Sequence, residues 1–224
     1  MRIALLYPEL LGTYGDGGNA LVLQQRWKRR GHRATIIEVN LSDSIPAADI
    51  YLLGGGEDGP QRLAADKLRK MKFAKTIKSG AHVLAVCAGL QILGESFAVE
   101  GDTQFDGLGL VDAVTTRGAV RRVGNMALAV SGKVLVGFEN HGGVTSLGSG
   151  VEPLGSMLKG FGNDGVVDGF RTEQIWATYA HGPLLALNPW FADHILSTVT
   201  GQELDPLESI ADTLYQRRLG ALGL

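Results

Sequence analysis

The stretch His82–Phe97 reads HVLAVCAGLQILGESF. A β-prone run, His82–Val86, meets a cysteine surrounded by Ala85, Ala88 and Gly89, and a helical pattern from about Leu90 to Phe97 follows. A nucleophile on a sharp strand-to-helix turn needs small neighbours, because the backbone there is strained and closely packed. Such a turn aims the side chain at solvent above the sheet. The helix N-terminus behind it favours the thiolate, the reactive form of cysteine. A lone cysteine is ordinarily a small buried hydrophobe; the turn around Cys87 argues for chemistry instead.

On either side of this stretch the same alternation recurs. Arg2–Tyr7 and Ala34–Val39 read as strands with a helix, Asn19–Arg30, between them, and Gly31 stands where a helix-capping glycine belongs. Asp49–Leu53 is a further strand ending in Gly54-Gly55-Gly56, and a periodic charged pattern predicts one helix from about Gln61 to Lys78. Ile175–Ala180 is another strand, and two helices are expected from about Pro189 and Pro206. Repeated strand–helix units imply an α/β fold with a mostly parallel central sheet flanked by helices. Between Leu108 and Phe170 the pattern changes. Leu110–Thr116, Met126–Val130 and Val134–Phe138 alternate with glycine turns, as in an antiparallel extension. No repeat or linker interrupts the chain, so one domain over residues 1–224 is expected.

Composition narrows the function. With 224 residues, 45% of them hydrophobic, the chain has material for one large core, and a net charge of −2 supplies no basic field for nucleic acid or an anionic membrane. A single cysteine rules out an internal disulfide and fits a cytoplasmic protein. The first apolar run is too short for a signal peptide, and no apolar run approaches the roughly 20 residues that span a bilayer. No cluster of side chains has metal-ligand spacing and no GxxxxGK[ST] loop is present, so neither metal nor cofactor is expected.

A cysteine nucleophile needs a base, normally histidine. Open α/β sheets place ligands at the carboxyl ends of their strands, which draws attention to Pro8–Gly18, Gly54–Pro60, Cys87–Gly89 and the segment after Ala180. His32 follows a surface helix, His194 lies within a helix, and His82 begins its strand at the opposite end of the sheet. His141 and His181 remain, and His181 is preferred because it follows a strand directly. Glycines at a strand's carboxyl end let backbone N–H groups point at a ligand. One donor from Gly55 or Gly56 and one from Ala88 would form an oxyanion site.

Leu52–Glu57 (LLGGGE), Val86–Gln91 (VCAGLQ) and Tyr179–Leu184 (YAHGPL) together resemble the oxyanion loop, nucleophile elbow and histidine segment of class I glutamine amidotransferases, in the cobyric acid synthase-like (CobB/CobQ-like) branch. Tyr14–Asn19 (YGDGGN), Arg121–Asn125 (RRVGN) and Phe138–Thr145 (FENHGGVT) are similar to the GatD-type glutaminase subunits of lipid II isoglutaminyl synthase. The resemblance implies a flavodoxin-like fold, L-glutamine as substrate, Cys87 as nucleophile and His181 as proton shuttle. It also implies a heterodimer with a MurT-like, Mur-ligase-fold, ATP-dependent synthetase, through which lipid II is reached. Gln91 matches a position that contacts glutamine in the class. Arg121 or Arg122 would pair with the substrate's α-carboxylate, and Asn140 and His141 are further candidate substrate contacts.

The chain departs from the class pattern in two places. Pro183 occupies the slot where many members carry the glutamate that orients the histidine, so the acid is expected elsewhere, from Glu139 or from a partner. Ala85 replaces a common glycine and is small enough to be tolerated. Three other functions compete. Gly15–Ala20 fits a dinucleotide-binding G-x-G-x-x-A with Glu38 as ribose-binding acid, but Pro8–Tyr14 separates it from its strand. A non-catalytic module on the same scaffold would need neither Cys87 nor His181. An amidotransferase serving another synthetase, of the cobyrinate type, keeps the chemistry and changes the product.

Overall fold

A computed structural model describes residues 1–99, 103–207 and 209–224. In chain order its elements are β1 (Arg2–Leu6), α1 (Pro8–Leu11), α2 (Gly18–Lys28), β2 (Thr35–Val39), β3 (Ile50–Leu53), α3 (Asp58–Lys70), α4 (Phe73–Lys78), β4 (His82–Val86), α5 (Ala88–Leu93), β5 (Ser96–Ala98) and β6 (Gln104–Asp106). There follow β7 (Ala113–Val130), β8 (Lys133–Leu147), β9 (Gly155–Lys159), β10 (Val167–Asp168), β11 (Phe170–Arg171), β12 (Ile175–Thr178), α6 (Leu184–Leu187), α7 (Pro189–Thr200) and α8 (Ile210–Leu222).

Among the described residues β11-β12-β4-β3-β1-β2 form one sheet, parallel except at β11. Strands β3 and β12 are buried at every residue, and β1 and β4 at all but the first. That is the signature of parallel strands covered on both faces. Alternate residues feed two cores. Ala4, Leu6, Tyr51, Val83 and Ala85 pack on one side with Leu68 of α3, Phe73 of α4 and Leu90 of α5. Ile3, Leu5, Ile50, Leu52 and Leu84 pack on the other with Leu23 and Trp27 of α2, Phe191 and Ile195 of α7, and Met126 and Leu128 of β7. In α3, Gln61, Ala64, Ala65 and Leu68 are the buried positions, the three-to-four spacing of one helix face.

The second sheet runs β10-β9-β7-β5-β6, with β8 on β7. The short runs expected around Leu110–Thr116, Met126–Val130 and Val134–Phe138 are parts of one long antiparallel hairpin, β7 and β8. Gly118, Gly124, Gly137, Gly142 and Gly143 lie within its strands, so glycines that resembled turns are strand residues. The expected Gln61–Lys78 helix breaks into α3 and α4 at Lys72, which adopts φ 56°. The last helix begins at Ile210, four residues after Pro206. Among the described residues no helix is long and apolar enough to cross a membrane.

Candidate active site

Cys87 sits between β4 and α5 with φ 53° and ψ −105°, a conformation that costs a residue bearing a side chain about 1–3 kcal/mol. Its N–H donates to Thr178 O at 2.8 Å, its carbonyl accepts from Gln91 N–H at 3.1 Å, and Gly89 N–H donates to Gly54 O at 3.2 Å. A Cβ on Gly89 would lie 2.8 Å from the Leu53 carbonyl oxygen, so the turn closes only on glycine. Helix α5 is shorter than expected. Gly94 leaves it in an extended conformation and Ser96–Ala98 returns as β5. Cys87 is almost buried, yet it lines the floor of a cleft of about 310 Å³.

His181 follows β12. It is fixed by reciprocal backbone hydrogen bonds with Phe138 of β8: Phe138 N–H to His181 O at 3.1 Å, and His181 N–H to Phe138 O at 2.9 Å. Its Nδ1 lies 2.9 Å from Oδ2 of Asp16, and the Tyr14 ring stands 4.7 Å away. Among the described residues the buried Nε2 has no hydrogen-bond partner, which leaves it as the ring atom available to the adjacent Cys87. Burial acts to lower the His181 pKa. The Asp16 hydrogen bond and the adjacent Cys87 outweigh that, raising it from 6.5 to about 10. His32, His82 and His194 lie away from this cleft, packed on Trp27, on Trp176, and on Trp176 and Phe191 respectively.

Four expectations change on contact with the geometry. The acid beside His181 is Asp16. Glu139 instead accepts from Phe161 N–H, Gly162 N–H and His141 Nε2, and those bonds hold its carboxyl below the usual range against the effect of burial. Gly55 is not a free oxyanion donor, because its N–H is given to Asp16 Oδ2 at 2.9 Å. Among the described residues the N–H groups of Gly56 and Ala88 carry no hydrogen bond. Arg122 turns away, its guanidinium 4.0 Å above the Phe161 ring, whereas Arg121 lines the cleft. His141 also lines the cleft, but Nδ1 faces Gly143 O at 3.0 Å and Nε2 faces Glu139 at 3.3 Å. Its polar atoms are therefore committed within the protein.

The remaining candidates converge. Arg121 Nε donates to Asn140 Oδ1 at 2.7 Å and its Nη2 to the Tyr14 hydroxyl at 3.1 Å, while Tyr14 donates to Glu57 at 2.7 Å. Gln91 forms one wall, with Oε1 accepting from Gln61 and Nε2 donating to Tyr179. Tyr14, Asp16 and Glu57, which lie in motif stretches read from sequence but were given no role of their own, and Arg117 belong to this constellation. Asp16 had a legible signal, a carboxylate inside a glycine-rich loop at the carboxyl end of β1. The glycine-rich stretch weighed as a dinucleotide fingerprint packs on the chain itself: Asn19 Oδ1 accepts from Leu185 N–H, and a Cβ on Gly18 would lie 2.4 Å from Pro183 Cγ.

A strained cysteine stands between a central parallel strand and a helix, with a histidine from the neighbouring strand and a triglycine loop close by. The family model of the CobB/CobQ-like glutamine amidotransferase domain covers residues 2–189. The chain belongs to this family. Within it, the chain is 33% identical over 205 residues to the lipid II isoglutaminyl synthase (glutamine-hydrolyzing) subunit GatD of Staphylococcus aureus strain N315, covering 88% of this chain and 84% of that one. It is 32% identical over 229 aligned positions to the GatD subunit of Streptococcus pneumoniae, covering 96% and 88%. Among solved structures, a glutamine amidotransferase aligns with TM-score 0.64 and 21% identity over 89% of this chain and 99% of that one. PurLQS from Thermotoga maritima aligns with TM-score 0.58 and 16% identity over 89% and 95%. These structures share the amidotransferase fold.

Proposed function

We propose that this glutamine amidotransferase is the glutaminase subunit of a lipid II isoglutaminyl synthase. Cys87 gives its proton to His181 and attacks the side-chain amide carbon of L-glutamine, and the N–H groups of Gly56 and Ala88 hold the oxyanion that forms. Collapse expels ammonia, which takes its proton from the His181 imidazolium, and leaves a γ-glutamyl thioester. Water then attacks the thioester as His181 accepts its proton, and return of that proton to sulfur as glutamate leaves restores the thiol. Arg121 receives the substrate's α-carboxylate, since a guanidinium suits a carboxylate, and Glu57 stands close enough to receive its ammonium. The ammonia goes to a MurT-like, Mur-ligase-fold, ATP-dependent synthetase that amidates the D-glutamate α-carboxyl of the peptidoglycan stem to D-isoglutamine. The heterodimer works in the cytoplasm, where Cys87 stays reduced.

The observation that carries the chemistry is the Cys87 turn with the free Nε2 of His181 beside it. The product assignment is supported by the two GatD relatives. Co-expression with the Mur-ligase-like partner tests both. Glutamine-dependent amidation of lipid II is expected, lost in Cys87→Ser and restored to that variant by free ammonia. Glutamine hydrolysis with lipid II untouched would transfer the subunit to another synthetase, of the cobyrinate type. Absence of hydrolysis with the partner present would overturn the chemistry itself.

A further inference from the structure

We propose that Asp16 is the positioning residue of this site: one carboxylate oxygen fixes the His181 ring and, through the Gly55 N–H, the loop that receives the oxyanion. This deepens the glutaminase reading above and rests on it. Oδ2 accepts from His181 Nδ1 and from Gly55 N–H, each at 2.9 Å, and Asp16 is 2% exposed. A carboxylate only accepts, so Nδ1 must hold the proton and Nε2 must face Cys87 as lone pair or as second N–H. The arrangement leaves little slack. A Cβ on Gly55 would lie 2.5 Å from His181 Cε1 and 3.3 Å from Oδ2, and one on Gly54 would lie 3.0 Å from Asp16 Cβ.

Among the described residues, the other carboxylates considered for the task are engaged elsewhere. Glu139 is taken by His141 and two backbone N–H groups. Glu57 accepts from the Tyr14 hydroxyl. Pro183, in the slot of the missing glutamate, packs on Gly18 of the same loop that carries Asp16. The titratable groups facing His181 are Asp16 from the loop before α2, Cys87 from the elbow and the Tyr14 phenol; β8 contributes the Phe138 backbone. The shared oxygen links the two halves of the reaction. When His181 becomes imidazolium its bond to Asp16 joins opposite charges, while the same oxygen holds the glycine loop still.

Asp16→Asn separates this role from a merely structural one, because the amide oxygen keeps an acceptor for Gly55 N–H but removes the anion beside Nδ1. In the full chain with its synthetase, kcat for glutamine hydrolysis is expected to fall ~10²–10⁴-fold, as when an orienting carboxylate is amidated elsewhere. KM should stay within about threefold, and the alkaline limb of the pH–rate profile should move to lower pH. Wild-type kcat and an unmoved limb in Asp16→Asn would overturn the proposal. If the wild-type chain hydrolyses no glutamine, the glutaminase reading fails, and the pH dependence of Cys87 alkylation by iodoacetamide tests the positioning role alone. Identical profiles in wild type and Asp16→Asn would then refute it. Should the variant not fold, ¹⁵N-histidine spectra of the wild-type chain, assigned against His181→Gln, must show Nδ1 protonated. An unprotonated Nδ1 ends the proposal.

Discussion

Asp16 and His181 stand 165 residues apart in the chain and 2.9 Å apart in space. The contact exists because β1 and β12 belong to the same sheet and present their following loops at the same edge. His181 is further pinned by β8, and Asp16 by the turn that opens α2 through Asn19 N–H to Asp16 O. Stability and chemistry therefore share residues at this edge, and four measurements separate them.

His181 ties stability to pH. Its pKa in the folded chain is raised to about 10 from an ordinary 6.5. The folded state therefore binds the proton more tightly, and the resulting stabilisation is fully present below about pH 6.5. It is lost as pH rises through about 10. Urea unfolding at pH values spanning this window should show a steeper fall in stability for wild type than for His181→Gln. Parallel curves would contradict the assignment.

The two adjacent arginines should behave differently. Arg121→Lys is expected to raise KM for glutamine ~10–100-fold with little change in kcat, because a bidentate carboxylate contact is replaced by a point charge. Arg122→Ala should leave KM unaltered and lower stability by about 0.5–1 kcal/mol, the value of its stacking on Phe161. Steady-state kinetics with chemical denaturation of each variant reads both effects.

Gly55→Ala adds one methyl where the His181 ring already stands, 2.5 Å from the new carbon. Overpacking of this kind costs about 1–3 kcal/mol, and here it also moves the base. Glutaminase kcat is expected to drop by at least ~10², since misplacement of a catalytic group by about 1 Å costs that much. A Gly55→Ala variant with near-wild-type kcat would mean that the loop relaxes freely.

Cys87 carries backbone strain on behalf of its position. At φ 53° a glycine removes the steric penalty, so Cys87→Gly should be more stable than Cys87→Ala by about 1 kcal/mol, while both lack activity. Thermal melts of the two variants, compared with each other, give the number. A less stable glycine variant would show that the turn is not strained.

The central parallel strands were legible because β1, β3, β4 and β12 are short, largely apolar runs, a pattern that burial on both faces imposes locally. The turn at Cys87 was legible for a related reason: a tight strand-to-helix turn demands small residues around it, here Ala85, Ala88 and Gly89. The long β7–β8 hairpin was not legible. Its strands are stabilised by pairing with each other, from Ala113 with Leu147 to Val130 with Lys133, and the glycines inside them carry turn-like propensity. The break at Lys72, likewise, follows no glycine or proline.

By itself, then, the sequence pointed to Cys87 and His181 as candidates for chemistry and to most of the short segments that build the parallel sheet, because strand patterns and elbow sterics act between near neighbours. Only the tertiary structure decided which of those residues meet. Two of its choices were Asp16 over Glu139 as the partner of His181, and Arg121 over Arg122 in the cleft. It also committed Gly55 N–H to Asp16 and the polar atoms of His141 to Glu139 and Gly143. Each choice depends on how loops from distant strands are brought to one sheet edge. Their sequence separation carries no record of a 2.9 Å contact.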